Sequence, residues 1–414
     1  MSFVSRPIAQ KVLESTLAKV AIIEGARAVG KTTMVRQEFA PQGFSYQSLA
    51  NRSTLALAQA DVEAWVDRLP LPAVVDEAQL IPELPLAVKE RVDTLPAGLQ
   101  IILTGSASIG RKGLGGADPL ARRSRRYTLC PLTGWELQGR QMSLVDWLFE
   151  APLTAQSVEP MDESSLIDVM SIGGFPDYAL ARPAPSAADM VEAVRSDVTG
   201  LLTDTVLPAT DFSAQTARAV LDSLLRTPGG IFNASRVGQM IGADRRTVDR
   251  YLGILTQLFL IHWLPNLTTA ASRQSHSRAK VHPVDSSFAV ASLRASGHDL
   301  AADRESFGQV LESWVVNEIL ASAGWSKRQV RAHYWRDAAT SREVDLVLSD
   351  EAGRRVGVEV KASRVYDSSQ LRGIRTLQKS GAFHRGFIIY LGSEVFPLDQ
   401  DICLIPASVV WRGL

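Results

Sequence analysis

The order of apolar and polar residues predicts an α/β domain in the N-terminal third of the chain. Short apolar runs alternate there with amphipathic stretches, and Val20–Ile23, Ala73–Val75 and Ile101–Leu103 read as buried strands. Continuous apolar strands separated by helices are typical of a parallel sheet covered on both faces. The pattern therefore predicts the fold class α/β, with a parallel-sheet domain over residues 1–140.

Two further regions follow that are helical in pattern. Residues 141–228 are punctuated by Gly173–Pro176 and Pro183–Pro185, and we interpret them as a helical connector. Residues 229–300 form the next predicted region.

A helix-turn-helix or winged-helix arrangement is predicted within residues 229–300. Its helices are expected at Ala234–Ile241 and Arg245–Phe259, with Asp244 as the N-cap of the second helix. Arg245, Arg246 and Arg250 lie on that second helix, where they would meet a DNA backbone. A packing module with solvated arginines is the alternative.

The last hundred residues predict a second α/β unit, at residues 301–414. The pattern places a helix at about 306–322, strands at 331–336, 343–348, 356–361 and 386–391, and a helix at about 368–380.

Composition excludes several classes of protein. With 414 residues, 46% hydrophobic and 21% charged, the chain has the make-up of a globular protein of two to four domains. Cys130 and Cys403 have no partner at metal-ligand spacing, which argues against a disulfide framework or a zinc site. We find no signal peptide and no apolar run long enough for a membrane span, and therefore expect a cytoplasmic protein without a membrane partner.

The formal net charge is zero, but it results from cancellation between regions. Residues 1–140 carry 17 basic and 13 acidic groups, 141–210 carry 2 and 11, 211–290 carry 9 and 5, and 291–414 carry 16 and 15. An acidic connector thus balances two mildly basic regions. The charge permits a nucleic-acid partner without requiring one.

A phosphate-binding pattern follows the first predicted strand. Gly25, Ala26, Arg27, Ala28, Val29, Gly30, Lys31 and Thr32 fit the P-loop, and Thr33 follows them in the opening helix. In such a loop the backbone N–H groups face the phosphates, Lys31 reaches the β and γ phosphates, and Thr32 completes a Mg²⁺ shell. We therefore expect ATP and Mg²⁺ as cofactors.

Two carboxylates end the second predicted strand of that domain. Asp76 is expected to hold Mg²⁺, and Glu77 to orient the water that attacks the γ-phosphate. The pair favours hydrolysis over simple nucleotide binding. A third strand ends at Thr104 and Ser106, either of which is a candidate sensor of the γ-phosphate, with a polar strand exit as the alternative.

The densest basic cluster in the chain is Arg122–Arg126. It has three interpretations: an arginine finger for an ATP site in cis or in a neighbouring subunit, a contact with nucleic-acid phosphates, or a solvated basic face.

The motifs together resemble the prokaryotic AAA-type ATPases that join an N-terminal P-loop domain to a C-terminal domain of formerly unknown function. The matching stretches are Glu24–Thr33, Val75–Gln79, Leu103–Ser106, Leu120–Arg123, Leu129–Thr133 and Gly173–Pro176. Where the family has Leu-Ala-Gly-Arg, this chain has Arg122 in place of the glycine, and Arg123 matches the arginine. The resemblance implies an ATPase, and AAA-type ATPases often form homo-oligomeric rings.

Acidic residues collect on one face of the predicted C-terminal hairpin. With a turn centred near Glu351, Glu343 opposes Glu359, and Asp345 lies diagonal to Glu359 on the face that also carries Lys361. Like charges on a half-buried surface are destabilising unless a cation or a functional demand compensates.

This hairpin resembles the PD-(D/E)xK nuclease superfamily. The resemblance implies a restriction-endonuclease-like domain in which Asp345 and Glu359 bind Mg²⁺, Lys361 helps to activate water, and Glu312 on the preceding helix adds a carboxylate. A fold that has kept its carboxylates but lost cleavage is the open alternative.

Three functions are consistent with these features. The first is an ATP-hydrolysing switch or motor that acts on DNA or RNA through a Mg²⁺-dependent nuclease-like domain. The second is a nucleotide-controlled regulatory protein whose inactive C-terminal domain recruits a protein or DNA partner. The third, a small-molecule kinase, fits least well because of Asp76, Glu77 and the large accessory region.

Overall fold

The computed structural model describes residues 3–15, 17–106, 109, 118–203, 212–267, 279–337 and 339–414. They form two compact units, Ser2–Pro131 with Gln257–Phe259, and Leu132–Thr256 with Leu260–Leu414. The three regions that the sequence separates after residue 140 therefore share one unit. No helix of the described residues is long and apolar enough to cross a membrane.

The first unit is an α/β domain built on a parallel sheet. Its strands are β1 (Val20–Glu24), β2 (Ser45–Ser48), β3 (Ala73–Asp76), β4 (Ile101–Gly105) and β5 (Ser124–Thr128). Its helices are α1 (Pro7–Leu13), α2 (Lys31–Met34), α3 (Arg52–Ala60), α4 (Val62–Asp67) and α5 (Leu84–Asp93), with a π-helical turn at Val35–Phe39 and 3-10 turns at Ala40–Gln42 and Ala78–Leu80.

The sheet has the order β2–β3–β4–β1–β5, and each neighbouring pair is parallel. Strands β1, β3 and β4 are buried along their whole length, which explains why they appear in the sequence as unbroken apolar runs. The parallel α/β prediction is confirmed. Because all strands run in one direction, the residues that follow β1, β3 and β4 collect at one edge of the sheet.

The second unit begins with the helical connector and the helix-turn-helix. Its elements up to residue 300 are α6 (Gly134–Leu137), α7 (Leu144–Glu150), β6 (Gln156–Ser157), α8 (Glu163–Ile172), α9 (Pro176–Ala179), α10 (Ala187–Thr203), α11 (Ala214–Leu225), α12 (Ala234–Ile241), α13 (Arg245–Gln257), β7 (Ile261–Leu264), β8 (Lys280–Pro283) and α14 (Ser286–Ala295).

The rest of the second unit contains its large sheet. The remaining elements are α15 (Arg304–Ser322), β9 (Arg331–Arg336), β10 (Glu343–Ser349), β11 (Arg355–Val360), a 3-10 turn at Ser368–Leu371, α16 (Arg372–Lys379), β12 (Phe383–Tyr390), β13 (Glu394–Pro397), β14 (Ile402–Pro406) and α17 (Ala407–Arg412). The sheet order is β6–β13–β14–β12–β11–β10–β9, with β11, β12 and β14 parallel to one another.

The hairpin β10–β11 has a different register from the predicted one. Leu346 pairs with Val358, so the paired residue numbers sum to 704 instead of 702. The turn runs from Asp350 to Arg354 and contains Gly353 at φ 79°, a conformation that glycine adopts without strain. The shift is two residues, so the predicted face is kept, but the expected pairing of Glu343 with Glu359 is wrong.

The two helices on either side of Asp244 form where the sequence predicts them. Gly242 ends α12 with φ 71°, and the Asp244 carboxylate accepts a hydrogen bond of 2.8 Å from the Thr247 N–H, as an N-cap does. Helix α13 ends at Gln257, two residues before the predicted end, and Phe259 has φ 57°. The paired strands β7 and β8 follow, as in a winged helix.

Candidate functional site

The loop after β1 has the backbone shape of a phosphate-binding loop. Ala28 and Gly30 have φ values of 66° and 92°, and helix α2 starts directly afterwards at Lys31. A Cβ on Gly25 would lie 2.2 Å from the carbonyl oxygen of Leu129, so this position requires glycine. The loop is also tied down from the N-terminal segment, because the buried Arg6 donates to the Val29 carbonyl at 3.2 Å.

Lys31 is the first residue of α2, and its side chain contacts the loop, as the motif predicts. Its ammonium donates to the carbonyl oxygens of Gly25 and Ala26 at 2.9 and 2.8 Å. Burial lowers the pKa of Lys31 to about 8, although the nearby carboxylates of Glu77 and Asp76 act in the opposite direction. The site therefore presents a desolvated cation that an anion would stabilise.

Asp76, at the end of β3, accepts hydrogen bonds from side chains of β2, β4 and the P-loop helix α2. Its Oδ2 accepts hydrogen bonds from the hydroxyls of Thr32 at 2.8 Å and Tyr46 at 2.7 Å, and its Oδ1 accepts one from the Thr104 hydroxyl. The structure thus brings together the predicted residues Thr32, Asp76 and Thr104. The sequence analysis missed Tyr46, because the short, half-buried strand β2 has no apolar pattern.

Glu77 stands next to Asp76 in an uncommon backbone conformation. Its φ of 60° is rare for a residue with a side chain, and such strain is frequent at functional sites. The Gln79 amide donates to the Glu77 carboxylate and, at 3.2 Å, to the Ser106 hydroxyl. Gln79 therefore links the predicted water-orienting residue to the segment that follows β4. Of the two candidate sensors, Thr104 contacts Asp76 and Ser106 contacts Gln79.

The residues present at this edge fit a nucleotide-bound Mg²⁺. Thr32 and Asp76 offer a hydroxyl and a carboxylate that already lie in hydrogen-bond contact, and oxygen ligands are those that Mg²⁺ prefers. Thr32 and Asp76 would hold the ion directly or through water. The ion would supply charge to the phosphate oxygens.

The arginines of the basic cluster Arg122–Arg126 do not all lie on the side of the sheet that faces this site. The Arg123 guanidinium binds both oxygens of Asp93, at 2.5 and 2.9 Å. Its carbonyl accepts from the N–H of Val20 at the amino end of β1, about 16 Å along the strand from the P-loop. Arg123 is therefore not a finger for the P-loop of its own chain, and the interpretation in trans stays a prediction.

Arg126, from the same cluster, is part of an internal ion-pair network. Its guanidinium binds Glu24 at 2.8 Å and Asp118 at 2.7 Å, and it donates to the Ile109 carbonyl at 2.8 Å. The run of arginines is thus split between the two faces of β5, and its charge is partly neutralised within the unit.

The carboxylates of the C-terminal sheet converge on a residue that the sequence analysis missed. Lys280, the first residue of β8, is buried, and its ammonium lies 2.8 Å from Glu312, 2.6 Å from Glu343 and 3.0 Å from Asp345. The sequence offered no more than a lysine at the start of a short strand, Lys280–Pro283. Its partners lie 32 to 65 positions away in the chain, so only the fold reveals them.

The other predicted members of this cluster lie beside it. The Asp345 carboxylate also accepts the Val360 N–H at 2.9 Å, and Lys361 donates to Glu359 Oε1 at 2.5 Å. Glu359 Oε2 is buried and has no hydrogen-bond partner among the described residues. The structure thus brings Glu312, Asp345, Glu359 and Lys361 together, as predicted, but with a second lysine in their midst.

The electrostatics of this cluster reflect burial and crowding. Burial, and then repulsion from Asp345, raise the pKa values of Glu312 and Glu359 to about 8 despite their lysine partners. Burial opposes the charged form of Lys280, but Asp345, Glu312 and Glu343 raise its pKa well above the ordinary value. The surrounding carboxylates therefore favour the charged form of Lys280.

This arrangement does not fit a divalent metal ion. A Mg²⁺ ion needs oxygens at about 2.0–2.1 Å in octahedral geometry, whereas these carboxylates surround an ammonium at hydrogen-bond distances. Among the described residues, no group of three or more His, Cys, Asp and Glu is arranged to hold a metal. The predicted metal role of Asp345 and Glu359 is therefore not supported by the geometry.

The second helix of the helix-turn-helix carries its three arginines on the surface. Arg245, Arg246 and Arg250 are exposed; Arg245 lies 3.5 Å from Asp249, and the Arg250 guanidinium packs over the Tyr251 ring. Their guanidinium groups lie at the surface, close to the carboxylates of Asp249 and Asp244.

The parallel sheet, the P-loop and the Asp76–Glu77 pair define the first unit as a P-loop nucleoside-triphosphatase domain. Residues 17–138 match the family model described as an AAA domain, so this part of the chain is an AAA-type domain. Residues 163–299 and 307–410 match two models described as domains of unknown function, DUF8612 and DUF4143.

The relatives found over most of the chain have no described function. Uncharacterized proteins of Mycobacterium tuberculosis and Mycobacterium bovis are each 25% identical over 402 residues, which is 95% of this chain and 81% of theirs.

Similar solved structures include a Walker-type ATPase of Pyrococcus abyssi and the Orc1 protein of Aeropyrum pernix in complex with DNA. Both are 14% identical in sequence, and each match covers 70% of this chain. The match covers 96% of the Pyrococcus abyssi protein, with a TM-score of 0.44, and 92% of the Aeropyrum pernix protein, with a TM-score of 0.27. TM-scores this low do not decide fold or function for this chain.

Proposed function

We propose that the protein is an ATP-hydrolysing AAA-type switch or motor that acts on nucleic acid. The observation that carries ATP hydrolysis is the hydrogen bond between Thr32, at the start of the P-loop helix, and Asp76, at the end of β3. It joins two motifs that are 44 positions apart in the chain. The two motifs together indicate ATP hydrolysis much more strongly than either motif alone.

The proposed roles follow from the positions of the side chains. Backbone N–H groups of Gly25–Gly30 bind the phosphates, and Lys31 leaves its carbonyl partners for the β and γ phosphates. Glu77, held by Gln79, orients the attacking water. Phosphoryl transfer requires mainly positioning and charge stabilisation, which this set of residues supplies.

Action on nucleic acid is proposed from the helix-turn-helix. Exposed arginines on its second helix are suited to contacts with phosphates, and such contacts make binding strongly dependent on salt. We propose DNA as the partner. Measuring DNA binding at increasing salt concentration tests this proposal. Arg246→Ala is expected to weaken binding to all DNA sequences alike.

The C-terminal unit has two candidate functions. The resemblance to PD-(D/E)xK proteins supports a Mg²⁺-dependent nuclease. The position of Lys280 among Glu312, Glu343 and Asp345 favours a domain that binds a partner without cleaving it.

One experiment tests the ATPase proposal and separates the two C-terminal candidates. Phosphate release and DNA cleavage are measured with and without DNA and Mg²⁺, for the wild type, Lys31→Ala, Glu77→Gln and Asp345→Ala. We expect Glu77→Gln to bind ATP normally and to lose about 10²–10⁴-fold in hydrolysis rate, whereas Lys31→Ala loses binding. Glu63→Gln, an exposed glutamate on α4, is the matched control.

The outcomes are distinct for each proposal. Hydrolysis that is unchanged in Lys31→Ala and Glu77→Gln would remove the ATPase proposal. Metal-dependent cleavage that Asp345→Ala abolishes would establish the nuclease and remove the non-cleaving candidate.

A further inference from the structure

The carboxylate cluster of the C-terminal sheet contains its own cation. We infer that the ammonium of Lys280 replaces a divalent metal between Glu312, Glu343 and Asp345, so that the second unit holds no Mg²⁺ there while Lys280 is present. This inference deepens the non-cleaving candidate described above, on which it rests, and it does not depend on ATP hydrolysis.

The number of carboxylate contacts matches the chemistry of an ammonium group. A lysine has three N–H donors and no acceptor, and here each of three carboxylates lies within 3.0 Å of the Nζ atom. The ammonium also lies 5.9 Å from the centre of the Tyr334 ring, within reach of a cation–π contact. The surroundings of Lys280 are therefore those of a satisfied, buried cation.

Lys280 is fixed in this place by its backbone. It pairs with Leu264 in the ribbon β7–β8 and forms a bridge with Ile231 on its other side. The residue is buried, and its main chain is paired on both sides, so the ribbon fixes the position of its Cα atom. A metal ion that enters the cluster must therefore displace the ammonium or lie beside it.

Most of the oxygens of Asp345 and Glu359, the two predicted metal ligands, already have hydrogen-bond partners. Asp345 uses one oxygen for Lys280 and the other for the Val360 N–H, and Glu359 uses Oε1 for Lys361. Of these four oxygens, Glu359 Oε2 alone has no hydrogen-bond partner among the described residues. One unpaired oxygen from Asp345 and Glu359 together is a poor start for a Mg²⁺ site, which needs octahedral coordination.

Binding of Mn²⁺ to the full-length, nucleotide-free protein tests the inference, with free Mn²⁺ followed by electron paramagnetic resonance. The samples are the wild type, Asp345→Asn, Lys280→Met and the double variant Lys280→Met/Asp345→Asn. Lys379→Met, the same change at an exposed lysine of the same unit, is the matched control. Any Mn²⁺ bound at Thr32 and Asp76 is common to all samples and cancels.

We expect the wild type, Asp345→Asn and Lys379→Met to bind the same amount of Mn²⁺. Lys280→Met is expected to gain a site, which the double variant loses. A wild-type site that Asp345→Asn removes would overturn the inference, and so would a folded Lys280→Met protein that gains no site. If Lys280→Met does not fold, the comparison of wild type with Asp345→Asn still decides. Neither overturning result affects the phosphate-release test of ATP hydrolysis.

Discussion

Binding of ATP is expected to be coupled to proton uptake at Lys31. Burial lowers the pKa of this lysine to about 8, against the opposite effect of the Glu77 and Asp76 carboxylates. A bound triphosphate brings several negative charges to the Nζ atom, which restores a high pKa. Binding of ATP therefore favours the protonated form of Lys31.

The size of the effect follows from the pKa of about 8. At pH 8 about half of the free protein carries a neutral Lys31, so binding takes up about 0.5 proton; at pH 7 the uptake is about 0.1, and at pH 9 it is about 0.9. ATP affinity is expected to be nearly constant below pH 7 and to fall by about tenfold per pH unit above pH 8.

Isothermal titration calorimetry in buffers of different ionisation enthalpy measures the proton uptake directly. Lys31→Arg is the control, because a guanidinium does not titrate in this range and its proton uptake is expected to disappear even where some binding remains. Equal binding enthalpies in all buffers at pH 8, together with an affinity that does not change between pH 7 and pH 9, would refute the reasoning.

Three further predictions concern single side chains. Tyr46→Phe removes one hydrogen bond to Asp76 and keeps the ring, so urea unfolding of the first unit is expected to show a loss of about 1–2 kcal/mol; unchanged stability would show that the bond is not made. Gly25→Ala places a Cβ 2.2 Å from the Leu129 carbonyl, so we expect a loss of about 1–3 kcal/mol and of binding to a fluorescent ATP analogue, and wild-type binding would contradict the role given to this glycine. Burial lowers the pKa of His262 to about 4, so this residue favours the folded state fully above pH 6.5, where it is neutral in both states. As the pH falls toward 4, the free energy of unfolding decreases by up to about 3 kcal/mol. Between pH 7.5 and pH 5, the free energy of unfolding measured with urea should therefore decrease less for His262→Gln than for the wild type. Equal decreases would contradict the lowered pKa of His262.

Local sequence was sufficient where a feature depends on neighbours in the chain. The buried strands β1, β3 and β4 appear as apolar runs, and the P-loop and its helix start are contiguous. The cap at Asp244 depends on Thr247, three positions away. In each case the residues that make the interaction lie within one or two turns of each other, so a pattern reports them.

The hairpin shows where local reasoning gave only part of the answer. Alternation along β10 and β11 placed Asp345 and Glu359 on one face, and a two-residue change of register keeps that face. The register itself was decided by Gly353 in its left-handed conformation, which moved the turn by one residue toward the C-terminus. A pattern of period two does not distinguish registers that differ by two.

The sequence by itself determined an AAA-type P-loop domain, two helices joined by a turn, and a C-terminal sheet with acidic residues on one face. Tertiary structure alone decided the partners: Tyr46 for Asp76, Asp93 for Arg123, and Lys280 for the C-terminal carboxylates. The physical reason is that an ion pair or a metal site depends on distances of a few ångströms between residues that are tens of positions apart. A motif records which charges are present, and the fold determines whether a metal ion or a lysine neutralises them.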